Sequence, residues 1–344
     1  MGIVRSSRRA LLGVSRKLGV TRKIADSAWR RSRLLILCYH GVSMHDEVDW
    51  DSELFVTLEF LRRRFEILRD GGYVVLPLRD AVRMLYDGAL PKRAVVITFD
   101  DGFYNFHAAA IPLLKEFQFP ATVYLSSYYC INQRPLLTLT VRYLLWRART
   151  SSLAVGALPG APGQVNLASS ADRQVLGDAL ASTARSLSAN RSVQHAWLGD
   201  LAHKLGVDWQ EFQSRRALYL MTPAEVADVA SQGFDVQLHT HRHRTPRSET
   251  EFCQELLENR RIIEELTKRS AAHFCYPSGD LDPVFLPWLK DLGVETATTC
   301  AVGLARKSDN PLLLPRFIDT MHQSETMFES WLSGAAEYTG RSRR

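Results

Sequence analysis

Short apolar runs recur along the chain, and between them apolar positions fall at helical spacing. LLILCYH (34–40) is the first run. Residues 53–70 then place Phe55, Leu58, Leu61, Phe65 and Leu68 on one face, which predicts a helix ended by Gly71-Gly72. YVVLPL, AVVITF and ATVYLSS read as the second, third and fourth strands, with FHAAAIPLLKEF as a helix before the fourth. Thr222-Pro-Ala-Glu225 is a capping box with proline at the first helical position. It opens a helix that ends near Gly233, before the strand FDVQLHT. A charged helix over 249–268 precedes HFCYP, a helix over 283–291 precedes ETATT, and LLLPRFI is the last strand.

Strand and helix alternating this often imply a parallel sheet. The expected fold class is α/β, a distorted (β/α) barrel of seven or eight parallel strands. Residues 127–220 break the rhythm. They are rich in Ala, Ser and Leu, with a Pro/Gly stretch at 159–163, and read as a mostly helical insertion. The expected plan is a basic N-terminal segment (1–33), a barrel (34–330) interrupted at about 127–220, and a C-terminal tail (331–344). A chain of 344 residues that is 46% hydrophobic has enough apolar surface for such a core.

Charge changes the picture only at the N-terminus. Residues 1–33 hold ten of the 43 Lys and Arg and a single acid, Asp26. No apolar h-region follows the basic start before LLILCYHGV, so no signal peptide is read. No run of 18 apolar residues predicts a transmembrane helix. The five cysteines show no CxxC and no even framework, which suits a reducing compartment. The expected location is cytoplasmic, with membrane association if the N-terminal segment docks there. Leu11, Val14 and Leu18 share a helical face with Arg9, Arg16 and Lys23 roughly opposite. That pattern fits either an amphipathic helix on anionic lipid or a solvated basic tail. MGIVRS also fits the myristoylation pattern. Beyond residue 33 acids outnumber Lys and Arg, so no nucleic-acid partner is expected.

The candidate chemistry starts with VITFDDG (96–102). Asp100 and Asp101 repel each other at a strand end, the part of a parallel α/β fold where functional residues collect. A helix N-cap needs only one Asp. QLHTHRHRTP (237–246) follows a second apolar strand, and His239 and His243, four apart, fall on one side of a helical turn. His241 points elsewhere at that spacing. Two imidazoles and one carboxylate make a three-ligand site with an open position, as catalytic zinc requires. The other carboxylate is left as a base toward water, and a cation would offset the repulsion within the Asp pair.

TFDDG, then HTHRH, then FCYPSG, in that order and in those strand contexts, resemble the NodB-homology polysaccharide deacetylases, carbohydrate esterase family 4. YHGV (39–42) and PRFI (315–318) resemble one branch of it. The resemblance covers about residues 34–325, apart from the insertion. It implies a metal-dependent hydrolase that removes the N-acetyl group of an amino sugar in a polysaccharide or its glycan precursor. An O-acetyl esterase and a non-catalytic sugar-binding protein of the same fold are the alternatives. Carried over by position, Asp100 is the general base, and Asp101, His239 and His243 hold a divalent metal, zinc foremost. The Ser278 backbone N–H helps hold the oxyanion, beside Tyr276 and Pro277. The chain departs from the family twice. Cys275 stands where an Arg usually orients the base, and Arg316 is the expected substitute. The C-terminal Leu-x-His motif that supplies the acid is missing, and His322 lacks its context. LCYH resembles that motif moved to the first strand, so His40 is the expected acid, with a packed histidine as the alternative.

Overall fold

The computed structural model describes residues 20–149, 166–186 and 191–338. The chain divides into two compact units. One comprises the residues up to Tyr128 and those from Met221 onward, and the other is Tyr129–Leu220.

The first unit contains β1 (Arg33–Tyr39), β2 (Gly41–Ser43), β3 (Phe55–Thr57), β4 (Val74–Val75), β5 (Ala94–Phe99), β6 (Thr122–Leu125), β7 (Asp235–Leu238), β8 (His273–Cys275), β9 (Thr296–Val302), β10 (Ala305–Arg306) and β11 (Leu314–Ile318). β1 pairs in parallel with β5, from Leu35↔Val95 to Tyr39↔Phe99, and on its other side with β11. From β11 the parallel ladder runs through β9, β8, β7 and β6 back to β5. Seven strands therefore close into a barrel, and closure removes the open edges. Residues 34–39 and 94–99 are buried throughout, as strands covered on both faces must be.

The expected second strand is not part of the ring. YVVLPL contributes only the two residues of β4, added beside β5, and Val74 is exposed. Pro77 caps the helix Leu78–Asp87 and ends the extended run. The helix expected over 53–70 starts later, at Leu58, because Phe55–Thr57 is β3, paired with β2. Thr57 Oγ1 accepts the Phe60 N–H at 3.0 Å and fixes that start. Leu61, Phe65 and Leu68 form the buried stripe, whereas Leu58 is exposed. The capping box is present as expected: Thr222 N–H donates to Glu225 Oε2 at 2.7 Å, and Glu225 N–H donates to Thr222 Oγ1 at 3.2 Å.

The second unit is helical, with Leu137–Arg147, Ser170–Ser186, Arg191–Lys204 and Trp209–Ser214. Its core gathers Leu144, Leu145, Leu176, Leu180 and Leu201. The Pro/Gly stretch at 159–163 lies outside the described residues.

Both flanks set aside in the sequence enter the barrel unit. Helices Val20–Ala25 and Ala28–Arg31 lead into β1. Arg30 is fully buried: Nε donates to Leu332 O at 3.0 Å, Nη1 to Arg33 O at 2.6 Å and Nη2 to Ala94 O at 3.1 Å. Burial lowers its pKa to about 10, which leaves it charged at neutral pH. Trp331, in the helix Glu325–Ser333, is buried and stacks on Phe317 of β11 at 5.5 Å. Packed structure therefore begins before residue 34 and continues past residue 330. Leu11, Val14, Leu18 and the MGIVRS pattern lie outside the described residues. Among the described residues no helix is long and apolar enough to cross a membrane.

Arg30→Met strips three carbonyls, those of Leu332 and Ala94 buried and that of Arg33 part-buried, of a charged donor. The expected loss is about 3–5 kcal/mol of unfolding free energy, read by urea denaturation. A loss below about 1 kcal/mol would mean that those carbonyls find other donors.

Candidate active site

Of the sequence-predicted residues, Asp100, Asp101, His239, His243, Arg316 and His40 come together, and the turn after β5 separates the two carboxylates. Asp100 N–H donates to Tyr39 O at 2.9 Å, the last contact in the β5–β1 direction. Asp101 then takes the left-handed conformation, φ 69°, at a cost of about 1–2 kcal/mol for a residue with a Cβ. Ser126 N–H holds its carbonyl at 3.1 Å. Gly102 follows at φ 86°, and a Cβ there would lie 2.4 Å from Leu125 Cδ1. Only glycine fits, which accounts for the third residue of the DDG motif.

Asp100 meets Arg316 in a fully buried bidentate pair, Nη1–Oδ1 at 2.7 Å and Nη2–Oδ2 at 2.8 Å. Arg316 also donates from Nε to Thr299 O at 3.1 Å and from Nη1 to Thr98 Oγ1 at 3.3 Å. Cys275 Sγ donates to Asp100 Oδ2 at 3.3 Å and lies 3.1 Å from Arg316 Nη2. Cys38 Sγ lies 3.6 Å from the same oxygen. Burial pushes both thiols up, so they are neutral donors. Burial alone would also push Asp100 up, but the Arg316 guanidinium outweighs it and holds the carboxyl well below the usual range. Arg316 thus reaches Asp100 from β11, with Cys275 of β8 against both.

Asp101 faces the histidines. Its Oδ1 is 3.2 Å from His239 Nε2 and 3.1 Å from His243 Nε2. Burial raises the Asp101 pKa, but His243 and His239 lower it further, to well below the usual range. Burial lowers the His243 pKa, but Asp101 raises it further. His239 Nδ1 lies 2.8 Å from Cys275 O. A carbonyl only accepts, so Nδ1 carries a proton and Nε2 is the ring nitrogen left to face a cation. The three ligand atoms lie within 4.8 Å of one another. Bonds of about 2.0–2.2 Å to a tetrahedral ion place donors about 3.3 Å apart, so this donor set fits a divalent cation.

His40 Nε2 stands 3.9 Å from Asp100 Oδ2, with its side chain 23% exposed at the rim. His241 is turned away, with Nδ1 at 3.0 Å from Ser127 Oγ and Nε2 at 3.3 Å from Glu258 Oε1. His322 bonds Ser52 Oγ at the surface. Ser278 is exposed and left-handed, φ 57°, in the turn after β8. Tyr276 and Pro277 are buried, and the Tyr276 hydroxyl donates to Leu312 O at 3.0 Å. Neither offers its side chain to solvent; they shape the turn that carries Ser278. Glu255 and Asn259, both buried, hold the loop bearing the histidines and escaped the sequence reading. Their signal was two polar residues on the stripe that buries Phe252, Leu256 and Ile263.

Arg316→Met would reverse the titration of Asp100. In the native protein its folded pKa lies below the unfolded value, so it contributes stability above that value, lost only as pH falls through the folded one. In the variant burial loses its main counterweight, with only the weaker effects of His40 and His239 still opposing it, and the folded pKa is expected to rise above the unfolded value, so its contribution is lost as pH rises through it. The stability gap between the two proteins, measured by urea unfolding without metal, is expected to widen from pH 4 to pH 7 and reach about 3–5 kcal/mol. A gap independent of pH would contradict this account.

The polysaccharide deacetylase family model matches residues 87–144 and 189–297. Poly-β-1,6-N-acetyl-D-glucosamine N-deacetylase of Escherichia coli (strain K12) is 33% identical over 100 residues. That match covers 28% of this chain and 14% of the E. coli protein, so the chain corresponds to a small part of that relative. Deacetylase PplD from Streptococcus pyogenes, solved in complex with acetate, superposes with a TM-score of 0.57 at 17% identity, over 87% of this chain and 98% of that one. IcaB from Ammonifex degensii gives 0.55 at 18%, over 88% and 97%. These two likenesses concern the fold. TFDDG, HTHRH and FCYPSG all fall inside the matched segments, and the chain belongs to the polysaccharide deacetylase family.

Proposed function

We propose that the protein is a metal-dependent deacetylase that hydrolyses the N-acetyl group of an amino sugar in a β-1,6-linked N-acetylglucosamine polymer or its glycan precursor. The observation that carries this is the pairing of two carboxylates in different states of engagement: Asp100 locked to Arg316, and Asp101 grouped with His239 and His243. The name of the E. coli relative supports the substrate class.

Asp101, His239 and His243 hold the cation, which we take to be Zn2+. A divalent ion supplies Lewis-acid chemistry there, lowering the pKa of water and polarising an acyl oxygen. Asp100 takes the proton from the attacking water. Arg316 orients that carboxylate and keeps it ionised, at some cost in basicity. The Ser278 backbone N–H faces the oxyanion as charge develops. His40 passes a proton to the departing nitrogen as the C–N bond breaks. The products are acetate and a free amine. A cytoplasmic location, at the membrane surface through residues 1–33, belongs to the same proposal, and cell fractionation tests it.

Acetate release from N-acetylated and O-acetylated β-1,6-linked glucosamine oligomers, assayed side by side, tests the reaction. The expected result is release from the N-acetyl substrate, lost together with bound metal in the His239→Ala, His243→Ala double variant. Stoichiometric metal retained in that variant would defeat the ligand assignment. Asp100→Asn should keep the metal and lose about 10²–10⁴-fold in kcat.

The role of His40 is read from leaving-group dependence. His40→Ala should slow release of an alkyl amine far more than hydrolysis of an activated aryl acetate, whose leaving group needs little acid help. Equal losses on both would return His40 to a packing role.

A further inference from the structure

Building on the metal site proposed above, we infer that Glu255 and Asn259 are positioning residues that set the affinity of that site, by holding the backbone of His239 and His243 from one face of the helix Glu249–Thr267.

The ladder between β6 and β7 ends at Leu125↔Leu238, one residue before His239. Asn259, fully buried, continues it with a side chain. Its Oδ1 accepts the His239 N–H at 2.9 Å, and its Nδ2 donates to Leu125 O and Ser127 Oγ, each at 2.9 Å. Both donors and the acceptor are used, and a flipped amide would set N–H against N–H. The Ser126 hydroxyl donates to the His239 carbonyl at 3.0 Å. With Nδ1 on Cys275 O, His239 is fixed at both backbone groups and one ring nitrogen. Its Nε2 has one direction left.

His243 is fixed through its neighbours. It is left-handed, φ 55°, as is Thr240, φ 58°. Two such residues in one short loop persist only where the surroundings over-determine them. The Glu255 carboxylate, 1% exposed, does so. Its Oε2 accepts the Arg242 N–H at 2.7 Å, and its Oε1 accepts from Arg242 Nη1 at 3.1 Å and Arg244 Nε at 2.7 Å. The Glu255 backbone carbonyl takes the His241 N–H at 3.0 Å. The two arginines flanking His243 are therefore clamped by one buried carboxylate, and the ring between them is held toward Asp101. Charge-assisted bonds of this kind are the strong ones. Glu255 and Asn259 are four apart, one helical turn, so a single rigid helix sets the separation of both imidazoles.

The test is Zn2+ affinity, measured on purified, folded protein by competition with a chromophoric chelator. Glu255→Gln and Asn259→Ala are each expected to weaken binding by about 10–100-fold, the range for groups that orient metal ligands. Saturating Zn2+ is expected to restore most of the lost deacetylation. Glu265→Gln, which breaks an exposed pair on the same helix, should leave the affinity unchanged. If the buried variants fail to fold, Arg244→Gln, at an exposed position, should still weaken binding several-fold through the same carboxylate. Folded variants with native affinity, whatever their unfolding midpoint, would overturn the inference and leave the metal site standing. A native protein that takes up no stoichiometric Zn2+ would overturn the metal site itself, and this inference with it.

Discussion

The Asp100–Arg316 pair is the constraint on which the rest of the site depends. A carboxylate this deeply buried cannot stay ionised without a partner, and a guanidinium with no exposed surface needs every N–H placed. Meeting both demands takes atoms from β5, β8, β9 and β11. It also requires β1 to sit between β5 and β11, which is how the barrel closes. Cys275 belongs to the same solution. A second arginine at that position would compete for one carboxylate, whereas a thiol is small, neutral and still donates. Arg316 from β11 and Cys275 from β8 thus meet on the same carboxylate, one as its counter-ion and the other as a small neutral donor.

That pair also explains how adjacent carboxylates coexist. The left-handed turn at Asp101 sends them in different directions, each to its own positive partner. Asp100 has a permanent counter-ion of fixed charge. Asp101 faces imidazoles, whose charge is conditional and whose lone pairs can serve a cation instead. The field around one carboxylate is constant while the field around the other is exchangeable, a division suited to a base beside a ligand.

The motifs made most of this site legible, because DDG, HTxxH and the strand contexts are local. Arg316 was reachable too, by asking what replaces a missing cation. The remainder depended on partners distant in the chain. Phe55 continues the helical spacing of Leu61 and Phe65, and nothing local says that it pairs with β2 instead. YVVLPL has strand composition, but its proline lies where a helix must start. Arg30 looked like one more charge in a basic segment, since two of its three acceptors lie 64 and 302 residues away. Asn259 and Glu255 were hidden by the opposite error: on a charged helix, a polar residue draws notice only when its face is known to be buried.

Closure through β1 bears on the order in which the protein can be finished during synthesis. β1, β5 and the Asp pair leave the ribosome before β11, and the ring is open until β11 arrives. Until then Asp100 has no guanidinium. If already dry it must hold a proton, and if ionised it must stay wet. The half of the site built from β5, β6, β7 and the helix Glu249–Thr267 needs nothing from β11 and can form first. Asp101 and the two histidines can therefore be brought together while Asp100 is still uncommitted, and it is β11 that brings the charge Asp100 pairs with.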